Sequence, residues 1–341
     1  MNFRTPVSIR RPPDQAGISF RDAVMLLGSC FAESLGKRLT DGAFRVELNP
    51  FGILYNPASV AAAVGRLLRP EVWSEKELFF HEGLFHSWMH HSRFSAVSSA
   101  GSLGKINERL HVAAEHLQQT DWLLVTFGTA CVWRLRETGQ VVANCHKLPD
   151  RLFVRERLSV AQIADMWDEL LERLWQVRPA MKTLFTVSPV RHRKDGAHEN
   201  RLNKAVLLLA IEQLQARHPR QVFYFPAYEL MMDELRDYRF YAEDMLHPSA
   251  TAIRYIWERF AETWLDAATR ETLDEVDRIR QALNHRPLNP QSEPYKQFLS
   301  QTLLRIERLC AKNPYLCLEN EVKQLHEIQY QRNSCDHPGE V

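Results

Sequence analysis

The sequence predicts an α/β fold: a mostly parallel central sheet with helices on its faces, followed by a helical C-terminal appendage. Three observations lead there. Over the first two thirds, short apolar β-like runs alternate with segments of helical period, as parallel strands joined by helical crossovers require. Beyond about Asp266 the β-like runs stop and only helical periods remain. With 341 residues, 45% hydrophobic and 25% charged, the chain can bury a full core, which removes disordered, collagenous and membrane classes. We divide it into a main domain over 1–265, a helical appendage over 266–331 and a frayed polar tail over 332–341.

Val24–Ser29 is an apolar run, read as the first strand, leading at once into a helix over about Phe31–Leu39. The turn-rich stretch Asn49–Pro57 precedes a helix ending at Leu68. Glu77–Trp88 reads as a hairpin turning at Glu82-Gly83, and Lys105–Gln118 as a helix. Trp122–Phe127 is the longest apolar run of this region, the pattern of a central strand buried on both faces, and it ends at Gly128. Arg134–Val142 reads as a hairpin with its turn at Thr138-Gly139. A helix near Val160–Val177 leads to the strand Thr183–Val187, stopped by Ser188-Pro189. A helix over about Glu199–Arg217, the strand Val222–Phe225 and a long amphipathic helix over Ala250–Ala268 complete the main domain. The appendage reads as helices over Glu271–Leu283, Tyr295–Ala311 and Glu319–Gln331.

Charge and targeting signals narrow the function classes. Lys and Arg number 43 against 42 Asp and Glu, so a net charge of +1 gives no electrostatic case for nucleic acid or an anionic membrane surface. Met1–Pro13 carries Arg4, Arg10 and Arg11, but no apolar stretch of signal-peptide length follows, and no run reaches membrane-spanning length. A cytoplasmic location is therefore expected. The six cysteines are scattered without a Cys-x-x-Cys pair, so reduced thiols are expected, with no zinc ribbon and no disulfide framework.

Ligands of open α/β sheets gather beyond the carboxyl ends of the strands, and reactive residue types cluster there. Gly28-Ser29-Cys30 follows the first strand, Gly128-Thr129-Ala130 the central one and Ser188-Pro189-Val190-Arg191-His192 the next, with Asp244-Met245-Leu246-His247-Pro248 near the end of the domain. A serine between a strand end and a helix start presents its hydroxyl beside the N–H groups of the opening turn, which supplies a nucleophile and part of an oxyanion hole. His247 is the candidate base and Asp244, three residues earlier, the carboxylate that orients it. Pro248 suits the first turn of the following helix, whose N-terminus favours a neutral imidazole at His247.

Gly28-Ser29-Cys30-Phe31-Ala32 is the signature of the GSCFA family. The resemblance extends through Asn49-Pro50-Phe51-Gly52, His86-Ser87-Trp88, Thr126-Phe127-Gly128-Thr129, Ser188–His192 and Asp237–Tyr241, covering roughly Arg21 to Leu265. That family is similar to the SGNH (GDSL-like) hydrolases. The resemblance implies a flavodoxin-like α/β/α sandwich and a Ser-His-Asp triad of Ser29, His247 and Asp244. It also implies an oxyanion hole built from the N–H of Ser29, Gly52 and the third motif at Gly128. The asparagine of that third motif is replaced by Ala130, a loss of about 3 kcal/mol of transition-state stabilisation unless Asn144 or Asn56 substitutes. The implied function is hydrolysis or acyl transfer on a small polar or carbohydrate O-acyl ester without a cofactor. A non-catalytic binding or scaffold protein that retains the pocket is the alternative.

Each candidate also has a structural role to weigh. Ser29 is a good N-cap, Asp244 and His247 a plausible turn pair, and Cys30 an alternative nucleophile that we read as a packing residue. His81, His86, His90 and His91 crowd one segment, with helical metal-site spacing between His86 and His90. The aromatic residues around them read as strand, however, and no Asp or Cys completes a ligand set, so no metal is expected. Arg191, His192 and Arg239 either hold an anionic or sugar-like group of the substrate or pair with Asp195, Asp237 or Glu243. Gly28, Gly36 and Lys37 fail the spacing of a phosphate loop, and no Gly-x-Gly-x-x-Gly occurs. Leu303, Leu304, Ile306, Leu309 and Cys310 form an apolar stripe for packing against the main domain, with a homo-oligomer contact or a lid as alternatives.

Overall fold

The computed structural model describes residues 6–335. In its first half the chain forms β1 (Ala23–Gly28), α1 (Cys30–Asp41), β2 (Arg45–Leu48), α2 (Pro57–Leu68), β3 (Leu78–His81), β4 (Leu84–Ser87), α3 (Ser99–Leu117) and β5 (Trp122–Phe127). There follow β6 (Cys131–Leu135), β7 (Val141–Val142), β8 (Phe153–Arg157), α4 (Val160–Val177), β9 (Lys182–Val187), α5 (Gly196–Arg217), β10 (Val222–Tyr224) and the single turn α6 (Ala227–Glu229). Four helices end the chain: α7 (Ala250–Trp264), α8 (Ala267–Asn284), α9 (Glu293–Lys312) and α10 (Glu319–Cys335).

Five strands make one parallel sheet in the order β10-β9-β5-β1-β2. Counting only its own strands, this is the 2-1-3-4-5 order of flavodoxin-like folds, which reverses between β1 and β5, and a crevice opens beyond the carboxyl ends of those two strands. Every residue of β1 and β5 is buried, which explains their unbroken apolar runs. Val24, Leu26, Trp122 and Leu124 point into one core with α1, α7 and the C-terminal helices. Met25, Leu27, Leu123 and Val125 point into the other with α2 to α5. Three layers follow directly from that two-residue alternation.

The appendage completes the first core. Leu273, Val276, Ile279 and Leu283 of α8, Ile306 and Leu309 of α9 and Leu325 of α10 all lie in it. Cys317 N–H donates to Ala43 O at 3.0 Å, and Arg280 pairs with Asp41 at 3.0 Å, so these helices dock on the α1–β2 turn, at the amino end of the sheet. Of the expected stripe, Ile306 and Leu309 are buried, Leu303 and Cys310 are partly buried against the same core, and Leu304 faces outward. The buried part of the stripe lies in the core that the appendage shares with the main domain, at the end away from the crevice.

Several elements depart from expectation. β2 and β8 carry alternating charges and gave no strand signal, yet both pair, β2 with β1 and β8 with β6. α3 begins six residues earlier than Lys105, because the Ser98 hydroxyl accepts from Gly101 N–H and caps it. The helix expected over Ala250–Ala268 breaks at extended Leu265, and Asp266 caps α8 by accepting from Thr269 N–H at 2.6 Å. Of the tail expected to fray, residues 332–335 continue α10, while 336–341, like Arg4 near the start, lie outside the described residues. No helix among the described residues is long and apolar enough to cross a membrane.

Candidate active site

The crevice is a cavity of about 1010 Å³, lined among others by Ser29, Tyr55, Asn56, Trp133, Arg191 and His247. Gly28 delivers Ser29 to its floor. Its φ is +142°, and a Cβ there would sit 2.2 Å from Thr126 O, so only glycine lets β1 approach β5 this closely before the turn. Ser29 is extended (φ −70°, ψ 176°) and caps α1, its Oγ accepting weakly from Phe31 N–H at 3.3 Å. Capping and presentation to the cavity thus coexist in one residue, which is only 1% exposed. Burial pushes the neighbouring Cys30 thiol up, which keeps it protonated and a poor competitor as nucleophile.

His247 reaches the same cavity from a tight loop. Ala242 N–H donates to His247 O at 2.8 Å, Met245 takes a left-handed turn (φ 58°), and Asp244 Oδ1 accepts from the N–H groups of Leu246 and His247 at 2.9 and 3.0 Å. Asp244 Oδ2 then meets His247 Nδ1 at 2.6 Å. The backbone N–H of His247, then its imidazole and the N–H of Leu246, hold the Asp244 carboxyl down at about 2, so it is ionised and fixes the proton on Nδ1. Nε2 is left as the acceptor that a general base needs. No hydrogen bond joins His247 to Ser29 in this structure. Pro248 lies outside the first turn: Ser249 is the N-cap of α7, so His247 stands two residues before it.

His192 forms a further wall. A Cβ on Gly128 would lie 3.2 Å from His192 Nε2 and 3.6 Å from Ser29 Cβ, which puts the imidazole beside the serine. Burial, reinforced by the positive charge of Lys204, lowers His192 to about 4, so this ring is neutral and packs edge-on against Tyr55. Beneath the floor, Lys204 Nζ donates to Gly128 O and Ser188 O, both at 2.7 Å, tying together the loops that leave β5 and β9. Sequence reasoning missed Lys204, although one signal was present. On α5 it shares a stripe with Asn200, Asn203, Leu207, Ile211 and Leu214, a face that turns inward. Arg155, also unforeseen, lines the cavity from β8, pairs with Asp195 and lies over Trp133.

Not every expected site residue arrives. Gly52 spends its N–H on Asn49 O at 2.8 Å and does not line the cavity; its positive φ serves the packing of its turn against His91. The N–H of Ser29 is taken by Thr126 O, and that of Gly128 by Tyr55 O. Asn144 is turned away, its N–H on Trp88 O and its Oδ1 accepting from His146 N–H. Asn56 lies in the wall instead. Its Oδ1 accepts from Ser59 N–H and its Nδ2 donates to Ser59 Oγ, leaving one Nδ2 hydrogen uncommitted. Arg191 and His192 line the cavity, whereas Arg239 is exposed, pairs with Asp237 at 3.6 Å and lies outside it.

Of the crowded histidines, His81 and His86 sit on the β3–β4 hairpin, which turns at Glu82-Gly83 as expected, while His90 and His91 follow β4. His86 binds Ser95 Oγ, His90 binds Ser87 Oγ and His146 binds Ser87 O, each ring being bound to its own neighbours. Burial holds His90 at about 3 and His146 at about 4, so both are neutral. Among the described residues no group of three or more His, Cys, Asp or Glu converges in a metal-binding arrangement.

Two family models match successive parts of the chain. The model of the GSCFA family matches residues 23–260, and that of the GSCFA domain protein, C-terminal domain, matches residues 276–328. A search of curated proteins finds no match to the chain. The first match runs from β1 into α7 and covers every residue that lines the cavity, Ser29 and His247 included, together with Asp244 behind His247. On that match, the chain belongs to the GSCFA family.

Proposed function

We propose that this protein is a serine-dependent ester hydrolase or acyltransferase of the SGNH (GDSL-like) type, acting in the cytosol on a small polar or carbohydrate O-acyl ester. One observation carries the reading: Ser29, at the start of α1, and His247, held by Asp244 at 2.6 Å, line a single cavity. Ser29 Oγ attacks the ester carbonyl while His247 Nε2 takes its proton. The imidazolium, steadied by ionised Asp244, then gives that proton to the departing alcohol. Water, or a second hydroxyl in the transferase case, releases the acyl group from Ser29 by the same relay. The N-terminal end of α1, with Cys30 N–H at its first position, and the uncommitted Nδ2 hydrogen of Asn56 are the donors we assign to the oxyanion.

A second reading is a ligand-binding protein that does no chemistry. What favours it is that the N–H groups of Ser29 and Gly128 are both spent on backbone carbonyls. Intact-mass analysis after fluorophosphonate treatment separates the two. A single adduct that needs Ser29 and His247 but survives Cys30→Ala is expected; an unlabelled wild-type protein that binds esters intact would establish the second reading.

A further inference from the structure

We infer that the substrate of this site carries a small anionic group, a carboxylate or phosphate, on its alcohol portion, and that Arg191 binds it. The inference rests on the reading of Ser29 and His247 as nucleophile and base only for which side of the scissile bond is meant.

The cavity has a surplus of positive charge, with Arg155, Arg191, Arg193 and Lys194 in its walls against Asp150 and Asp195. Arg155 is committed to Asp195. Arg191 differs: among the described residues it meets no carboxylate, and its guanidinium lies over the Tyr241 ring, 4.6 Å from the centroid. Burial pushes the Tyr241 phenol up, so it offers no phenolate in exchange. An arginine half-withdrawn from water, over an aromatic ring whose hydroxyl takes one hydrogen bond, and without a counter-ion, keeps its remaining donors for an oxyanion from outside.

Position fixes which part of the substrate it meets. Arg191 N–H donates to Leu246 O at 3.2 Å, and Tyr241 bridges to Pro248, so Arg191, Tyr241 and His247 form one wall. A base that returns its proton to the leaving alcohol faces that alcohol, so an anion on this wall belongs to the leaving group. Beyond Arg191 a groove of about 140 Å³, lined also by Arg236, Asp237, Tyr238 and Tyr241, has room for only a small group, and the Asp237 carboxylate there is offset by Arg239. The remaining wall, Ile53, Tyr55, Trp133, Val142 and Ala143, is largely apolar and suits the acyl chain. In the step itself the acyl carbon bonds to Ser29 Oγ, the carbon–oxygen bond to the anionic alcohol breaks, and the serine proton leaves on that alcohol through His247. Water then returns the serine and yields the free acid.

The test compares 3-acetoxybenzoate with the neutral, nearly isosteric 3-acetoxybenzamide. The expected result is a wild-type kcat/KM favouring the carboxylate by about tenfold to a hundredfold, the range of a charge-assisted hydrogen bond. In Arg191→Met that ratio falls to about one, Arg191→Lys recovers part of it, and Arg239→Met, outside the cavity, retains it. A wild-type ratio near one, or a ratio unchanged in Arg191→Met, would overturn the inference. Calorimetric titration with 3-hydroxybenzoate and with inorganic phosphate reads the same anion site without turnover and shows which anion it prefers. If neither ester is hydrolysed but an anion binds the wild type and not Arg191→Met, the anion site stands and the hydrolase reading fails. If fluorophosphonate labels Ser29 but neither anion binds, the hydrolase reading stands and this inference fails.

Discussion

Lys204→Met is the perturbation that tests most of the site's construction at once. Burial pushes the Lys204 ammonium down from 10.5 to about 7, a penalty of roughly 5 kcal/mol on its charged form in the folded protein. A neutral amine keeps two N–H bonds, enough for Gly128 O and Ser188 O, so losing the proton removes the penalty while sparing both contacts. Between about pH 7 and 10.5 the unfolded chain binds the proton more readily than the folded one. Stability must therefore rise with pH: the penalty is complete below about 7 and gone above 10.5. From pH 7 to 9 the gain is roughly 2 kcal/mol. Urea unfolding at pH 7, 8 and 9 measures it as the wild-type profile minus that of Lys204→Met, which cancels the other titrating groups. The variant should lack this rise and should also lose about 1–3 kcal/mol for each carbonyl left without a donor, so its deficit is largest at pH 9. Parallel profiles for the two proteins would refute the reasoning.

Asp244→Asn should lower the rate of fluorophosphonate labelling at Ser29 by about 10³–10⁴ in a stopped time course, because the amide no longer fixes the proton on His247 Nδ1. Gly28→Ala should cost more than about 3 kcal/mol in urea unfolding, since φ +142° and a contact 2.2 Å from Thr126 O cannot both be relieved without parting β1 from β5. Ile306→Ala should cost about 2–5 kcal/mol and leave a single thermal transition by calorimetry; a separate early transition would mean that the appendage does not share the core of the sheet.

What the sequence reveals tracks where the physics is local. β1, β5 and β9 announce themselves because burial on both faces makes their interiors runs of apolar residues broken only by threonines, and Gly28, Gly128 and Ser188-Pro189 mark where they end. β2 hides because Glu47 faces inward only by virtue of Arg109, brought from α3, sixty-two residues away. β8 hides for a similar reason: Arg155, Glu156 and Arg157 find Asp195, Arg134 and Glu199 on distant elements. The same holds at the site. Asp244 and His247 are three residues apart and legible as a pair. The role of Lys204, by contrast, depends on two carbonyls from β5 and β9, and the absence of Asn144 and Gly52 from the cavity depends on hydrogen bonds made by backbone that no periodicity encodes.

The docking of the last three helices on the α1–β2 turn sets a timetable for biosynthesis. When residue 265 has left the ribosome the whole crevice exists in sequence, but Leu39, Ala43, Phe44 and Trp264 belong to a core still lacking Leu273, Val276, Ile279, Ile306 and Leu325. The nascent main domain must then carry an uncovered apolar face on the side of the molecule remote from the crevice. A chain truncated after 265 would keep every residue of the cavity and yet expose that face, a substrate for chaperones and a seed for aggregation.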